Sequence, residues 1–306
     1  PIVMGDNVTK IGSYAFAETS LTSLHIPANV QTIDHNAFVG NPKTLTAITV
    51  DASNTYFNDG GGKNVLLQSA PSEPYRTLVL GCVNSVVPDG VINIAHCAFK
   101  DCENLNAISL PNSVAGLTES TFENCTSLTS INLSNTALTN LCYKMFAGCT
   151  SLNSIVFPSG LTEIRGDCFN GCSSLQTIAI PNTVDTIMSS AFAGCRNLSA
   201  VTLPSGLTEI DIEVFKDCTA LTGITIPSTV ENIGDQAFAN SGLTSIHIPA
   251  ATINMGDGPF MGCRNLATIT VDNLNPVIDS RNNCNAIIVT DDNMLMVGCK
   301  NTVIPN

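Results

Sequence analysis

Seven cysteines occupy one position of a recurring pattern: Cys102, Cys125, Cys149, Cys172, Cys195, Cys218 and Cys263 each lie three residues after a phenylalanine. Thiols in register could ligate a soft metal, exchange disulfides, or serve as small buried groups with a weak S–H donor. Stacked neighbours about 4.8 Å apart would present parallel Cβ vectors, and the dihedral of a disulfide is then hard to reach. No C-x-x-C pair occurs, so a zinc ribbon lacks its ligand spacing. The expectation is a structural ladder of thiols, with no metal site and no cofactor. Two shorter repeats carry Thr19 and Ser241 at the same position.

The other chemistry-bearing residues are sparse. Of the four histidines, His35 and His96 share a repeat position, and with one longer repeat between them they are expected roughly 10 Å apart. His25 and His247 share another column. Asp272, Asp279, Asp291 and Asp292 cluster without the spacing of a calcium loop, which needs converging oxygens, so they read as solvated turns. Asp59-Gly60-Gly61-Gly62 has no following helix or Lys-Ser/Thr and reads as a flexible insert. No G-x-S-x-G, H-E-x-x-H, P-loop or dinucleotide fingerprint is present. No nucleophile, base and orienter can be placed together, so there are no catalytic residues and an enzyme is not expected.

The elements that position these residues follow from a repeat. Phe16, Phe38, Phe99, Phe122, Phe146, Phe169, Phe192, Phe215, Phe238 and Phe260 recur at spacings of 22 to 24 residues, with one gap of 61. Each sits in a pattern close to V-T-x-I-x-x-x-A-F-x-G-C-x-x-L-x-x-I-x-I-P. A period near 23 is too short for paired helices, which need about 34 residues, and suits one solenoid coil. In L-x-x-I-x-I the side chains alternate, Ile178 and Ile180 inward and Thr177 and Ala179 outward, as in a half-buried strand. The closing Pro ends the strand because it has no N–H to give. Gly before Cys, as in Gly171-Cys172 and Gly194-Cys195, marks a turn. One coil cannot bury its own apolar face, but stacked coils build a continuous core and parallel strand ladders.

Two stretches break the period. Residues 50–88 and 271–305 lack the Phe pattern and share Val65-Leu66-Leu67 with Leu78 to Cys82, and Ala286-Ile287-Ile288 with Met294 to Cys299. Each reads as two short strands joined by a polar turn, Ser69 to Arg76 and Thr290 to Asn293, followed by a V-V-P or V-I-P strand. The fold expected is a β-rich solenoid, a right-handed superhelix of coils of about 23 residues, with two hairpin-like coils. It forms a single domain over 1–306, with regular coils at 1–49 and 88–270. Ile2 and Met4 fit the strand positions of Leu24 and Ile26. Neither end carries the polar cap a solenoid needs, so the chain reads as a fragment of a longer array.

The pattern, in coils such as Ile226-Pro227 with Val230 to Gly234 and Ala237-Phe238, resembles the BspA-like leucine-rich repeats over essentially all 306 residues. The coil from Asn275-Pro276 to Gly298-Cys299 is similar to a variant in such arrays. That family is surface-displayed in host-associated bacteria and some mucosal protists, and some members are adhesins. The resemblance implies a display or binding role, a cell-surface or secreted location, and no catalytic residue.

The outward strand columns then become the candidate ligand face: Ser23, His25, Thr49, Ser109, Asn132, Thr177, Thr202, Thr225, His247 and Thr270. This field is small-residued and nearly uncharged. It lacks the aromatic and arginine groups that dominate tight contacts, so many weak contacts would have to act together. Charge falls on the opposite V-T-x-I edge, at Glu163, Asp185, Glu209 and Glu231. The chain is 12% charged against about 25% for an average domain, and its net charge is −13. That charge repels nucleic-acid backbones and anionic membrane surfaces. No apolar run reaches the length of a membrane span. The partner expected is an extracellular-matrix or cell-surface protein or glycan. The competing role is a structural spacer or self-assembling surface filament, with end-to-end self-association.

Overall fold

The computed structural model describes residues 2–68 and 76–304. Residues 69–75, which hold most of the turn expected at Ser69 to Arg76, lie outside it, as do Pro305 and Asn306. The chain divides into two compact units, Pro1–Gly160 and Leu161–Asn306. Both are β-solenoids, with about 11 turns in all. No α-helix occurs among the described residues.

In the first unit, Ser23–Ile26 runs parallel to Ala47–Val50, and Lys10–Ile11 parallel to Thr32–Ile33. Ser130–Asn132 pairs in parallel with Ser154–Val156. In the second unit the strand face pairs Thr177–Ala179 with Ala200–Thr202 and Ser245–Ile248 with Thr268–Val271. Its opposite edge pairs Glu163–Ile164 with Thr186–Ile187, and Glu209–Ile210 with Asn232–Ile233 and Asn254–Met255. Every strand residue expected inward is buried or half-buried, as in the e-B-e pattern of Thr177–Ala179.

The phenylalanines stack inside this frame. Phe99, Phe122 and Phe146 lie 5.3 and 5.6 Å apart by ring centroids. In the second unit Phe169, Phe192, Phe215, Phe238 and Phe260 follow at 5.2 to 5.7 Å, all within 16° of parallel. The coil rise sets this spacing, and ring offset relieves face-to-face repulsion.

The turn that inserts each ring is more demanding than its sequence suggests. Two residues flanking every repeat Phe, at −2 and +2, have left-handed backbone: Cys97 and Asp101 around Phe99, Ser190 and Gly194 around Phe192, Gln236 and Asn240 around Phe238. Alternate residues of this turn donate to the next coil. Cys97, Phe99 and Asp101 N–H groups bond the carbonyls of Glu119, Thr121 and Glu123, and those of Ser190, Phe192 and Gly194 bond Ile212, Val214 and Lys216. The Gly-Cys turns are therefore one half of a paired device, and Asp, Asn or Glu serves where Gly is absent.

The two long coils are hairpin-like, and each opens with a short strand that the sequence reading did not place, Phe57–Asn58 and Ile278–Asp279. Phe57–Asn58, Leu66–Gln68 and Arg76–Leu80 are antiparallel neighbours, and Arg76–Leu80 then pairs in parallel with Val91–Ile94. Ile278–Asp279, Ala286–Val289 and Leu295–Gly298 form the matching antiparallel sheet. Buried Asn275 fastens its insert: its amide donates to Pro249 and Thr252 carbonyls, and its Oδ1 accepts from Val277 and Ile278 N–H. Asn54 makes the same four bonds in the other insert.

Several local expectations need correction. Val86-Val87 and Val303-Ile304 form no strand. Each run contributes one bond instead, Val86 N–H to Lys63 and Val303 N–H to Cys284, because the hairpin already occupies the sheet edge. Ile2 to Met4 is not a strand either, although Ile2 and Met4 pack on the core cluster around Leu24. No strand forms at residues 107–109 or 223–225. The first lies beside the non-strand Val86-Val87 run, and Gly223 weakens the second. The Asp59 loop is closed rather than loose: Gly61 and Gly62 N–H groups both donate to Asp59 Oδ1, and Gly60, Gly61 and Gly62 all have positive φ.

If left-handed strain is set by the ladder, Gln236→Gly should stabilise the fold by about 1 kcal/mol. Gln236 has φ 52°. Urea unfolding of the variant and parent measures the difference, and a loss of stability would mean that the Gln side chain matters more than its backbone.

Candidate functional site

The strand face places nine of its ten expected residues in solvent; Ser23 is half-buried. The parallel register brings some of them together. His25 Nδ1 lies 3.0 Å from Thr49 Oγ1, and His247 Nδ1 lies 2.9 Å from Thr270 Oγ1. Both pairs follow from S-x-H-I-P stacked on x-I-T-V-D, so one sequence motif yields the same contact in both units. Asn132 turns its Oδ1 back to Ser134, taking N–H and hydroxyl bonds of 3.0 and 2.8 Å. Ser109 and Thr225 lie on the face but outside any strand.

Those two non-strand coils shape the surface. A shallow cleft of about 310 Å³ in the second unit is lined by Val201, Thr202, Leu203, Ser205, Thr225 and Pro227. A second cleft, about 280 Å³ in the first unit, runs along Val86, Val87, Ala107, Ile108, Ser109 and Pro111. Where the ladder lapses, coils do not close against each other, and small hydroxyl residues line the opening. The pattern did not reveal these clefts, although Gly223 in a strand slot was a signal available in the sequence.

The cysteine column is buried. Five of its thiols bond the Phe carbonyl of the preceding coil: Cys125 to Phe99, Cys149 to Phe122, Cys195 to Phe169, Cys218 to Phe192 and Cys263 to Phe238, at 3.1 to 3.2 Å. Each of these carbonyls also accepts an N–H from its own coil, so the thiol takes the second lone pair. Asn41, which the pattern did not single out, fills the column in the second coil and donates Nδ2 to the Phe16 carbonyl. Thr19 Oγ1 bonds the Phe16 carbonyl within its own coil, and Ser241 Oγ meets Cys263 Sγ. Burial pushes the thiols of Cys102, Cys149 and Cys218 up to about 12 from 9.0, and that of Cys97 to about 11. Thiols held neutral in this way are poor nucleophiles and poor metal ligands.

The remaining candidates do not converge. His35 and His96 border one small cavity of about 60 Å³ with Asn36 and Cys97, but both rings are exposed. Three of the four carboxylates of the acidic cluster, Asp272, Asp279 and Asp292, have local partners. Asp279 is clamped by Arg281 at 2.7 and 2.8 Å, and that guanidinium holds its carboxyl below the usual range. Asp272 and Asp292 accept N–H groups of Leu274 and Met294. No group of three metal-ligating side chains occurs among the described residues. No helix among them is long and apolar enough to cross a membrane.

Comparison with known proteins gives one family and several structures. The model of the BspA type leucine-rich repeat region matches in six copies, over residues 1–61, 81–199 and 186–287. A leucine-rich cell surface protein from Faecalibacterium prausnitzii is 35% identical with a TM-score of 0.59, covering 65% of this chain and 52% of its own. A leucine-rich repeat protein from Bacteroides ovatus is 25% identical with a TM-score of 0.58, covering 69% and 64%. The chain thus spans less than two thirds of either structure. No curated protein matches it.

The buried thiols set an alkaline limit. Their folded pKa lies above the unfolded 9.0, so the stability they contribute is whole below pH 9 and declines as pH rises toward 12. Unfolding free energy followed by urea titration from neutral to alkaline pH should therefore fall above pH 9. Replacing Cys102, Cys149 and Cys218 by Ser should flatten that fall, and an unchanged slope would assign it to other groups.

Proposed function

The chain belongs to the BspA type leucine-rich repeat family, and from that premise we propose that it is a non-enzymatic, adhesin-like module of the cell surface or secreted space. It recognises a host or neighbouring-cell macromolecule, a matrix protein or surface glycan, through the strand face. The observation that carries this reading is the row of exposed, uncharged hydroxyl and amide side chains with the clefts at Thr202–Thr225 and Ser109. Acidic side chains lie on the other edge, at Glu163, Asp185, Glu209 and Glu231. Apart from Asp89 at the Ser109 cleft, a −13 chain can therefore present a neutral surface to an acidic glycan or protein with little local repulsion. Hydroxyls spaced by the coil rise suit a partner with its own repeat, where many weak contacts sum. The cell-surface description of the Faecalibacterium prausnitzii protein supports the location.

The test is a binding screen over immobilised matrix proteins, mucins and glycans at physiological salt, with thiols kept reduced. A saturable signal is expected. Thr177→Glu and Thr202→Glu should each weaken it several-fold, while Glu209→Lys on the opposite edge should not. No saturable binding, or equal losses from both edges, would contradict this reading.

A further inference from the structure

The donors at the phenylalanine turns follow one rule. The N–H at −2 bonds the carbonyl at −3 from the next coil's Phe, and the Phe N–H bonds the carbonyl at −1. Cys97 thus reaches Glu119 and Phe99 reaches Thr121 in the first unit, as Gln236 reaches Asp257 and Phe238 reaches Pro259 in the second.

The first insert interrupts this rule inside the first unit. Along the chain, the Phe38 coil is followed by residues 50–88 and then by the Phe99 coil. The acceptor that matches Asn36 N–H is the His96 carbonyl, and the one that matches Phe38 N–H is the Ala98 carbonyl. The insert takes the second of these, because Gly81 N–H donates to Ala98 at 2.8 Å. Among the described residues, Asn36 and Phe38 N–H then donate to no group, and the His96 carbonyl accepts from none.

The insert is held tightly on its Phe99 side. Ala95 N–H donates to the Leu78 carbonyl. The Phe99 ring lies on Gly81, where an added Cβ would come within 2.0 Å of it. The slack therefore falls on the Phe38 side. There Asn36, Phe38, Val79, Leu80, His96 and Cys97 line the cavity of about 60 Å³.

Asn36 brings one more polar atom to this place. Its backbone is left-handed, with φ 62°, and its Nδ2 donates to the Tyr14 hydroxyl at 3.3 Å. Its Oδ1 is buried without a hydrogen-bond partner, alone in this among the side-chain oxygens and nitrogens of the described residues. Buried polar groups are paired almost without exception, with protein or with ordered water. Two donors and two acceptors thus meet at one small cavity. A cation would face the N–H groups of Asn36 and Phe38, and an anion would face the His96 carbonyl and Asn36 Oδ1. Water serves both kinds of group, and the volume admits about two molecules at ~30 Å³ each.

We propose that this cavity is a built site for a pair of ordered waters that carry the ladder across the insert. One accepts from Asn36 N–H and donates to the His96 carbonyl. The other accepts from Phe38 N–H and donates to Asn36 Oδ1. The Phe38 and Phe99 turns are then joined through solvent, where regular coils are joined by direct backbone bonds. The site is independent of the strand face, and neither reading falls with the other.

Water–amide NOE and ROE spectra of the perdeuterated, isotope-labelled chain test it, with thiols reduced. The amides of Asn36 and Phe38 should show water cross-peaks of opposite NOE and ROE sign, the mark of long residence. The directly paired amides of Phe99 and Phe122 should show none. Asn36→Gly removes Oδ1 and keeps a positive φ that glycine adopts freely. It should weaken the Phe38 cross-peak several-fold, because that water loses its second anchor, and leave the peak at position 36 in place. A high-resolution crystal structure of the parent should show both waters at these four groups. Absence of water cross-peaks at both amides, or a Phe38 peak unchanged by Asn36→Gly, overturns the proposal.

Discussion

The fold depends on the backbone ladder at the phenylalanine turn. Three alternate N–H groups reach the next coil at the turns of Phe99, Phe122, Phe169, Phe192, Phe215 and Phe238, and the left-handed residues at −2 and +2 let every second amide point along the stack. Left-handed backbone costs about 1–2 kcal/mol per non-glycine residue, so this geometry persists only because the ladder and the ring stack fix it from both sides. The Phe column, the buried Ala before Phe38, Phe99, Phe192 and Phe238, and the thiol on the Phe carbonyl all sit within four residues of that ladder. The strand face, by contrast, is hydrogen-bonded in separate pairs. The molecule is held at its turns and is permissive at its face.

That division explains what could be read from the sequence. Coil period, Phe core, inward Ile and outward Thr repeat in nearly every coil, so the pattern states them many times over. The hairpin-like inserts were legible because Leu66-Leu67 and Ile287-Ile288 repeat each other. What escaped was determined by neighbours rather than by local type. Val86-Val87 has strand-forming residues, yet Val86 bonds Lys63 because the hairpin has taken the edge. Asn41 carries the thiol's role in one coil with different chemistry. Asn54 and Asn275 are ordinary polar residues in sequence, and only the structure shows each one satisfying four backbone groups. Gln236 and Lys144 carry no sign of a left-handed backbone, because the ladder imposes it.

The candidate site was legible as a face and not as clefts. Outward positions follow from alternation, and exposure agrees for nine of the ten residues. The clefts arise where coils at 107–109 and 223–225 drop out of the strand pairing. The chemistry read first, the thiols, is structural in its contacts: buried, held neutral and spent on carbonyl lone pairs.

Native-state hydrogen exchange, resolved by residue, tests the central claim most directly. The account predicts the slowest exchange at the turn amides of Phe99, Phe122, Phe192 and Phe215 and their neighbours at −2 and +2. Amides of residues 107–109 and 223–225 should exchange far faster. Protection greater along the strand face than at the phenylalanine turns would contradict it.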